Sequence, residues 1–294
     1  MRMKYIAQIQ ANLKRYRTIH TNKATSRILD GSYHSVYKGR SMNFDELREY
    51  VVGDDRKDID WKASARSQKI LVKQYIAEKK HNIMLVMDTN RRMLADTSEL
   101  AEKRETALMS AGTLAYLVNQ NGDYVSAIYS TEQSMEHFPF KTGLMNIENI
   151  LEHYHKNVTA NNLSSIGKTL EYVVRHFRRK MILIVVTDIE GIREISETTL
   201  KRLLIMHDVL LIRISDADVE GKMVYSMVSE NYLPRFFTRD KKLAKRQEEK
   251  IQAVYKECAE KLKRFGIGNI TIDHTKEIDT KLVELLHKHK YEKR

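Results

Sequence analysis

Two apolar runs in this chain each stop at an aspartate. Residues 83–87 read Ile-Met-Leu-Val-Met before Asp88, and residues 181–187 read Met-Ile-Leu-Ile-Val-Val-Thr before Asp188. Short runs with no polar alternation belong to strands buried on both faces, so helices must cover them above and below. The chain supplies those helices. Helical patterns are predicted over 98–119, 143–156, 164–179, 194–206, 240–264 and 277–289. Further strands are predicted over 70–75, 124–129, 209–214 and 269–272. The alternation predicts an α/β fold with a doubly wound, mostly parallel sheet. Pro139 and Pro234, the only two prolines, are expected outside these elements. In such a sheet, ligands bind at the carboxyl ends of the strands where strand order reverses. If the two runs are neighbours, Asp88 and Asp188 face one crevice, an arrangement suited to a hard divalent cation such as Mg²⁺ or Mn²⁺.

Length and composition bound the rest. The 294 residues allow one large or two small domains. Three segments are expected: an N-terminal amphipathic helix in 1–30, a polar motif segment with a strand in 31–80, and the α/β domain over 81–294. No apolar run approaches the roughly 18–20 residues of a membrane helix. The start, Met-Arg-Met-Lys-Tyr, lacks the apolar core of a signal peptide. A lone cysteine, Cys258, rules out an internal disulfide and points to a reducing, cytoplasmic setting.

The net charge is +12, and its placement matters more than its size. Residues 1–30 hold seven basic residues and one acidic, residues 229–294 hold 17 and 11, and the middle is balanced. A nucleic-acid groove concentrates positive charge on its recognition surface, so nucleic acid is not the expected partner. Near the N-terminus, Ile6, Ile9, Leu13 and Tyr16 fall at helical spacing. A helix docked on its own domain is the expected reading; peripheral contact with a membrane is the sharper alternative.

The segment from Gly31 to Arg66 is rich in polar, charged and glycine positions and holds the only tryptophan, Trp61. A hydrophobic core does not need this pattern; a surface site, or a polar network bracing one, does. Arg48, Asp54, Asp55, Asp60 and Arg66 are candidates for a salt-bridge network holding the segment on the sheet. Alternatively, some of them form a surface read by a partner. Trp61 is expected to be a packing anchor. His34 and Arg40 lie between glycines and are expected to be exposed.

These spacings resemble domain-of-unknown-function family fifty-eight. The residues carrying the resemblance are Gly31, His34, Phe44, Arg48-Glu49-Tyr50, Gly53-Asp54-Asp55, Ile59-Asp60-Trp61 and Ala65-Arg66, then Asp88-Thr89-Asn90 after a strand. The resemblance implies a von Willebrand factor A-like, Rossmann-like domain. It also implies a non-catalytic adaptor that interacts with other proteins, with an AAA+ ATPase of the MoxR type as partner. The implied metal-ion-dependent adhesion site has the pattern Asp-x-Ser-x-Ser, a later Thr and a final Asp. Here Asp88 and Asp188 match. Asn90 replaces the first Ser and keeps an oxygen, and Arg92 replaces the second. In the later loop Asn161, or Thr159 with a register shift, stands for the Thr. The expected site is therefore degenerate. Asp88, Asn90, Asn161 and Asp188 would hold a metal, or Arg92 would replace it as counter-charge to Asp88 or Asp188. The alternative function is a Mg²⁺-dependent phosphoesterase or nuclease acting at the same two acids.

Other motifs are weak. His153 and His155, like His287 and His289, are spaced i, i+2 on predicted helices and point to different faces. No Gly-x-Ser-x-Gly elbow or phosphate-binding glycine loop is present.

Overall fold

The computed structural model describes residues 3–19, 43–76, 80–217, 225–226, 231–232 and 241–292. The chain forms two units, one from Met1–Val36 with Asn82–Arg294, the other from Tyr37–His81. In chain order the elements are α1 (Lys4–Ile19), β1 (Asn43–Glu49), α2 (Trp61–Ser67), β2 (Leu71–Ile76), β3 (Asn82–Met87) and α3 (Lys103–Gln120). Then come β4 (Tyr124–Ser130), β5 (Met135–Lys141), α4 (Leu144–Asn157), α5 (Ile166–His176), β6 (Ile182–Thr187), α6 (Ile189–Glu194) and α7 (Glu197–Met206). The last are β7 (Asp208–Ile214), the two-residue strands β8 (Tyr225–Ser226) and β9 (Asn231–Tyr232), α8 (Lys241–Arg264), β10 (Gly268–Ile272) and α9 (Ile278–Glu292).

The larger unit is built on a six-stranded sheet in the order β10-β7-β6-β3-β4-β5. All neighbours are parallel except β5, which runs antiparallel to β4. Along a strand, successive side chains point to opposite faces. Met84 and Val86 of β3, with Leu183 and Val185 of β6, join one buried cluster with apolar side chains of α5, α6, α7 and α8. The intervening Ile83, Leu85 and Met87 are equally buried. This is the doubly covered, mostly parallel sheet expected from the two apolar runs. The order reverses between β3 and β6, which places a topological switch point at the ends of those two strands.

The N-terminal helix docks inside this unit. Tyr5, Ile6, Ile9 and Leu13 are buried. Burying such aliphatic side chains contributes roughly 1.5–3 kcal/mol each, a gain α1 would forfeit by lifting onto another surface. Gly112 of α3 makes the close approach possible: a Cβ there would lie 2.7 Å from Ile9 Cδ1 and 2.8 Å from Leu151 Cδ1 of α4. The backbone N–H groups of Tyr5 and Ile6, orphan donors of the first helical turn, donate to the two carboxylate oxygens of buried Glu148 at 3.0 and 2.8 Å.

Local structure departs from the sequence pattern in three places. β5 is a strand with Pro139 inside it, contrary to the placement expected of that proline; Pro234 lies outside the described residues. β5 is the edge strand, with a register shift between Val125 and Ala127 of its partner, and an edge tolerates the missing N–H. The helix predicted over 98–119 begins only at Lys103; Leu100 ahead of it has a positive φ of 56°. The helix predicted over 194–206 begins only at Glu197, where the Ser196 hydroxyl caps it by accepting from Thr199 N–H at 3.1 Å, and a separate helix, α6, precedes it over Ile189–Glu194. Among the described residues, no helix is long and apolar enough to cross a membrane.

In the smaller unit, β1 and β2 pair antiparallel with Leu47 opposite Lys73. A turn, a 3₁₀ helix (Arg56–Asp58) and α2 fill the connection. The Asp60 carboxylate caps α2 by accepting from Lys62 and Ala63 N–H, both at 3.1 Å.

Candidate functional site at the ends of β3 and β6

β3 and β6 are paired with Met87 opposite Val186, and Asp88 N–H donates to the Val186 carbonyl at 2.9 Å. Asp88 and Asp188 therefore leave the sheet side by side, and both are buried. Neither carboxylate is free. Asp88 Oδ1 accepts from Asn90 N–H at 2.9 Å, and Oδ2 accepts from the Thr187 hydroxyl at 2.6 Å. Asp188 Oδ1 caps α6 by accepting from Gly191 N–H at 2.9 Å. Tyr154 of α4, fully buried, donates its hydroxyl to the Asp88 carbonyl at 2.9 Å.

Two cations close the cluster. Arg92 places Nε 3.3 Å from Asp188 Oδ2, Nη2 3.5 Å from Asp88 Oδ2 and Nη1 2.9 Å from Glu194 Oε1. Lys103, at the start of α3 and 3 % exposed, reaches Asp188 Oδ2 at 3.3 Å and also pairs with Asp216 beyond β7. Lysine in a first helical turn usually reads as solvated surface, and nothing in its spacing marks this one. Glu194 and Asp216 were likewise not apparent, because each acts through a fold-dependent approach.

The protonation states follow from these contacts. Burial and the neighbouring Asp188 push the Asp88 carboxyl up to about 6, against the pull of Arg92 and the Thr187 hydroxyl. Burial would also raise Asp188, but Lys103 and Arg92 outweigh it and hold that carboxyl below its ordinary value. Burial opposes the charge on Lys103, yet Asp188 and Asp216 keep its ammonium above the ordinary lysine value. For Arg92, burial is outweighed by Asp188, Asp88 and Glu194, so the guanidinium stays charged.

The site's donor set does not fit a divalent cation. Such an ion takes oxygens at about 2.1–2.6 Å, so on Asp188 Oδ2 it would lie beside two positive nitrogens. Unit charges about 4 Å apart interact by about 4 kcal/mol at an intermediate dielectric, and a divalent ion doubles that. Asn90 is committed as well: its amide oxygen accepts from Arg92 N–H at 3.0 Å and its amide nitrogen donates to the Ser164 carbonyl at 2.7 Å. Among the described residues, no group of three or more His, Cys, Asp or Glu side chains is placed to hold a metal.

The later loop meets the site through other residues than Asn161, which is exposed. Buried Asn162 accepts from Arg91 N–H through its carbonyl at 2.8 Å, and the Ser164 hydroxyl lies 3.0 Å from that of Thr89. Thr159 pairs instead with Glu132. Leu163, between Asn162 and Ser164, is 66 % exposed, and Leu100 on the loop ahead of α3 is 82 % exposed.

The polar motif residues are local braces rather than one buried network. Arg48 grips Asp54 with two donors at 2.8 and 2.6 Å, which holds that carboxyl below its ordinary value. Asp55 accepts from Lys57 N–H at 3.0 Å, and Asp60 caps α2 and lies 3.5 Å from Lys73. Arg66 is exposed. Trp61 is not the packing anchor expected: it opens α2 directly after the Asp60 cap and is 67 % exposed. His34 and Arg40 lie outside the described residues.

The fold and site define a class: a doubly wound α/β domain carrying two charge-paired aspartates at its switch point. The chain belongs to the family described as Protein of unknown function DUF58, which matches residues 46–222. An uncharacterized protein of Mycobacterium bovis, Mb1516, is 25 % identical over 196 residues, covering 66 % of this chain and 61 % of that protein. The match to Rv1480 of Mycobacterium tuberculosis has the same extent. The chain thus spans about three fifths of the length of these curated relatives. Among solved structures, the conserved hypothetical protein BatB from Bacteroides thetaiotaomicron matches with a TM-score of 0.44 and 16 % identity, over 71 % of this chain and 98 % of that one. A von Willebrand factor type A protein from Catenulispora acidiphila matches with a TM-score of 0.39 and 11 % identity, over 73 % and 44 % of the two chains.

Proposed function

We propose that this chain is a non-catalytic protein-interaction module whose crevice is held by its own cations in place of a metal. The observation that carries the reading is the position of Arg92 across Asp88 and Asp188. Carboxylates already paired with fixed side-chain cations have little capacity left to take a metal. A site of this kind shapes the loops above it. Those loops present Leu163 and Leu100 outward, and covering them with another protein would remove apolar surface from water. Leu100 holds a left-handed backbone conformation that is rare for a bulky residue, which marks the loop as constrained.

The partner follows the family resemblance: an AAA+ ATPase of the MoxR type. The alternative, a Mg²⁺-dependent phosphoesterase or nuclease, draws less support, because Asp88 and Asp188 would have to release Arg92 and Lys103 before holding a cation. The test is a calorimetric titration of the full chain with a purified MoxR-type ATPase, using wild type, Leu163→Asp and Leu100→Asp. Both positions are exposed, so the variants keep the fold. Binding by wild type that weakens at least about tenfold in either variant supports the reading. No binding by wild type, or equal binding by all three, removes it.

A further inference from the structure

The Tyr37–His81 unit carries a second surface that the crevice does not use. Four apolar side chains are exposed at one end of the β1–β2 pair: Val51, Val52, Trp61 and Ile70. Backbone bonds gather them there. Tyr50 N–H donates to the Ile70 carbonyl at 2.8 Å, Asp54 N–H to the Val51 carbonyl at 3.0 Å and Asp60 N–H to the Leu71 carbonyl at 2.9 Å. Val52 is 94 % exposed, at the tip of a turn that the Arg48–Asp54 pair holds shut. Singly exposed apolar residues are ordinary; four gathered at one end of a strand pair, including the chain's only tryptophan, are not.

Charge sets the kind of partner. Arg56, Lys57, Lys62 and Arg66 are exposed around the same turns and make no ion pair among the described residues. Of the nearby acids, Asp54 is paired with Arg48, Glu49 with Lys69 and Asp60 with Lys73. Exposed Asp55 and half-buried Asp58 make no ion pair among the described residues, which leaves two acids against four cations. Tryptophan and arginine, both exposed here as Trp61, Arg56 and Arg66, are residue types enriched at interface anchors.

We infer that this end of the small unit binds an acidic, apolar-bearing segment of another protein. Two other occupants fit less well. A second copy of the chain would bring the same cations face to face across a twofold axis. An anionic membrane would set a continuous negative surface against Asp55 and Asp58 as well as against the cations. A peptide can place its charges selectively.

Trp61 is its own reporter, being the lone tryptophan and exposed. The probe is a tryptophan-free peptide of five Glu-Leu-Asp-Phe repeats, titrated into the full chain while Trp61 emission and acrylamide quenching are followed. A control peptide carries lysine at every acidic position. The expected result is a blue shift and reduced quenching with the acidic peptide only. Affinity should fall at least about tenfold in the Arg56→Glu/Lys62→Glu variant, and similarly in Val52→Asp, both checked for folding by circular dichroism. The inference is overturned if the acidic peptide gives no shift up to about 1 mM, or if the lysine peptide shifts emission equally. It is also overturned if only phosphatidylglycerol-containing vesicles produce the shift, or if the shift tracks self-association in sedimentation. None of these outcomes depends on the ATPase titration, so the two readings fail separately.

Discussion

Arg92 Nε lies 3.3 Å from Asp188 Oδ2. The same guanidinium reaches Asp88 at 3.5 Å and Glu194 at 2.9 Å, so one side chain spans both strand ends and the tail of α6. Removing one partner of a buried ion pair leaves an uncompensated charge, which commonly costs about 3–5 kcal/mol. Arg92→Ala should lose stability on that scale in urea denaturation. Arg92→Lys should recover only part of it, because an ammonium cannot fork between two carboxylates. An Arg92→Ala variant as stable as wild type would mean the cluster does not brace the fold.

The same geometry predicts indifference to metal. Adding about 10 mM MgCl₂ or MnCl₂ should leave the wild-type Tm within about 1 °C, since a ligand that binds only the folded state raises it by mass action. A clear concentration-dependent rise would show that an ion displaces Arg92 and Lys103 from the aspartates.

Gly191 is fixed by close approach rather than by backbone freedom. A Cβ at this position would lie 1.8 Å from Thr187 Oγ1 and 2.9 Å from Asp88 Oδ2. Thr187 cannot yield without losing its 2.6 Å hydrogen bond to Asp88. Gly191→Ala should therefore destabilise by at least about 1–3 kcal/mol, the usual cost of overpacking. Gly122→Ala serves as a control for strain alone: its φ is +74°, and no atom of the other described residues beyond its chain neighbours lies within 4 Å of a Cβ there. If Gly191→Ala is no worse than this control, the packing account of the site is wrong.

Glu148 gives a local test of the N-terminal helix. Its carboxylate takes two backbone N–H donors of α1, and hydrogen bonds to a charged group contribute about 1.5–3 kcal/mol each. Glu148→Ala should speed hydrogen exchange of α1 amides by tenfold or more while the amides of β3 and β6 keep their protection. Uniform loss across both regions would instead indicate that α1 docking and the sheet unfold as one unit.

The parts of this structure legible in the sequence are those set by local pattern. Asp88 and Asp188 stand out because each ends an apolar run, and strand adjacency then brings them together. Trp61 was misread because a lone tryptophan suggests burial, whereas a cap at Asp60 can leave the next side chain facing outward. Lys103, Glu194 and Asp216 were illegible because their roles depend on which loop ends above which strand. Glu148 was illegible for a similar reason: it caps a helix about 140 residues away. Pro139 misled through a rule that holds for central strands and lapses at an edge.

Asp279 tests electrostatics away from the site. It is 4 % exposed in the first turn of α9, and its Oδ2 has no hydrogen-bond partner among the described residues. Burial pushes its carboxyl up to about 6 from an ordinary 3.8. A raised folded value means that the folded state takes the proton first, so stability is greatest below 3.8 and is lost as pH rises through about 6. The gap corresponds to about 3 kcal/mol. Asp279→Asn removes the charge and keeps the volume. The variant should be more stable than wild type by up to about 3 kcal/mol at pH 7–8, and the difference should shrink toward zero near pH 4. Taking the difference at each pH cancels the opposite trend from Asp188, whose carboxyl is held low. A difference that is constant across that range would show that Asp279 is solvated or neutralised in the folded state. A difference that grows at low pH would reverse the sign of the argument.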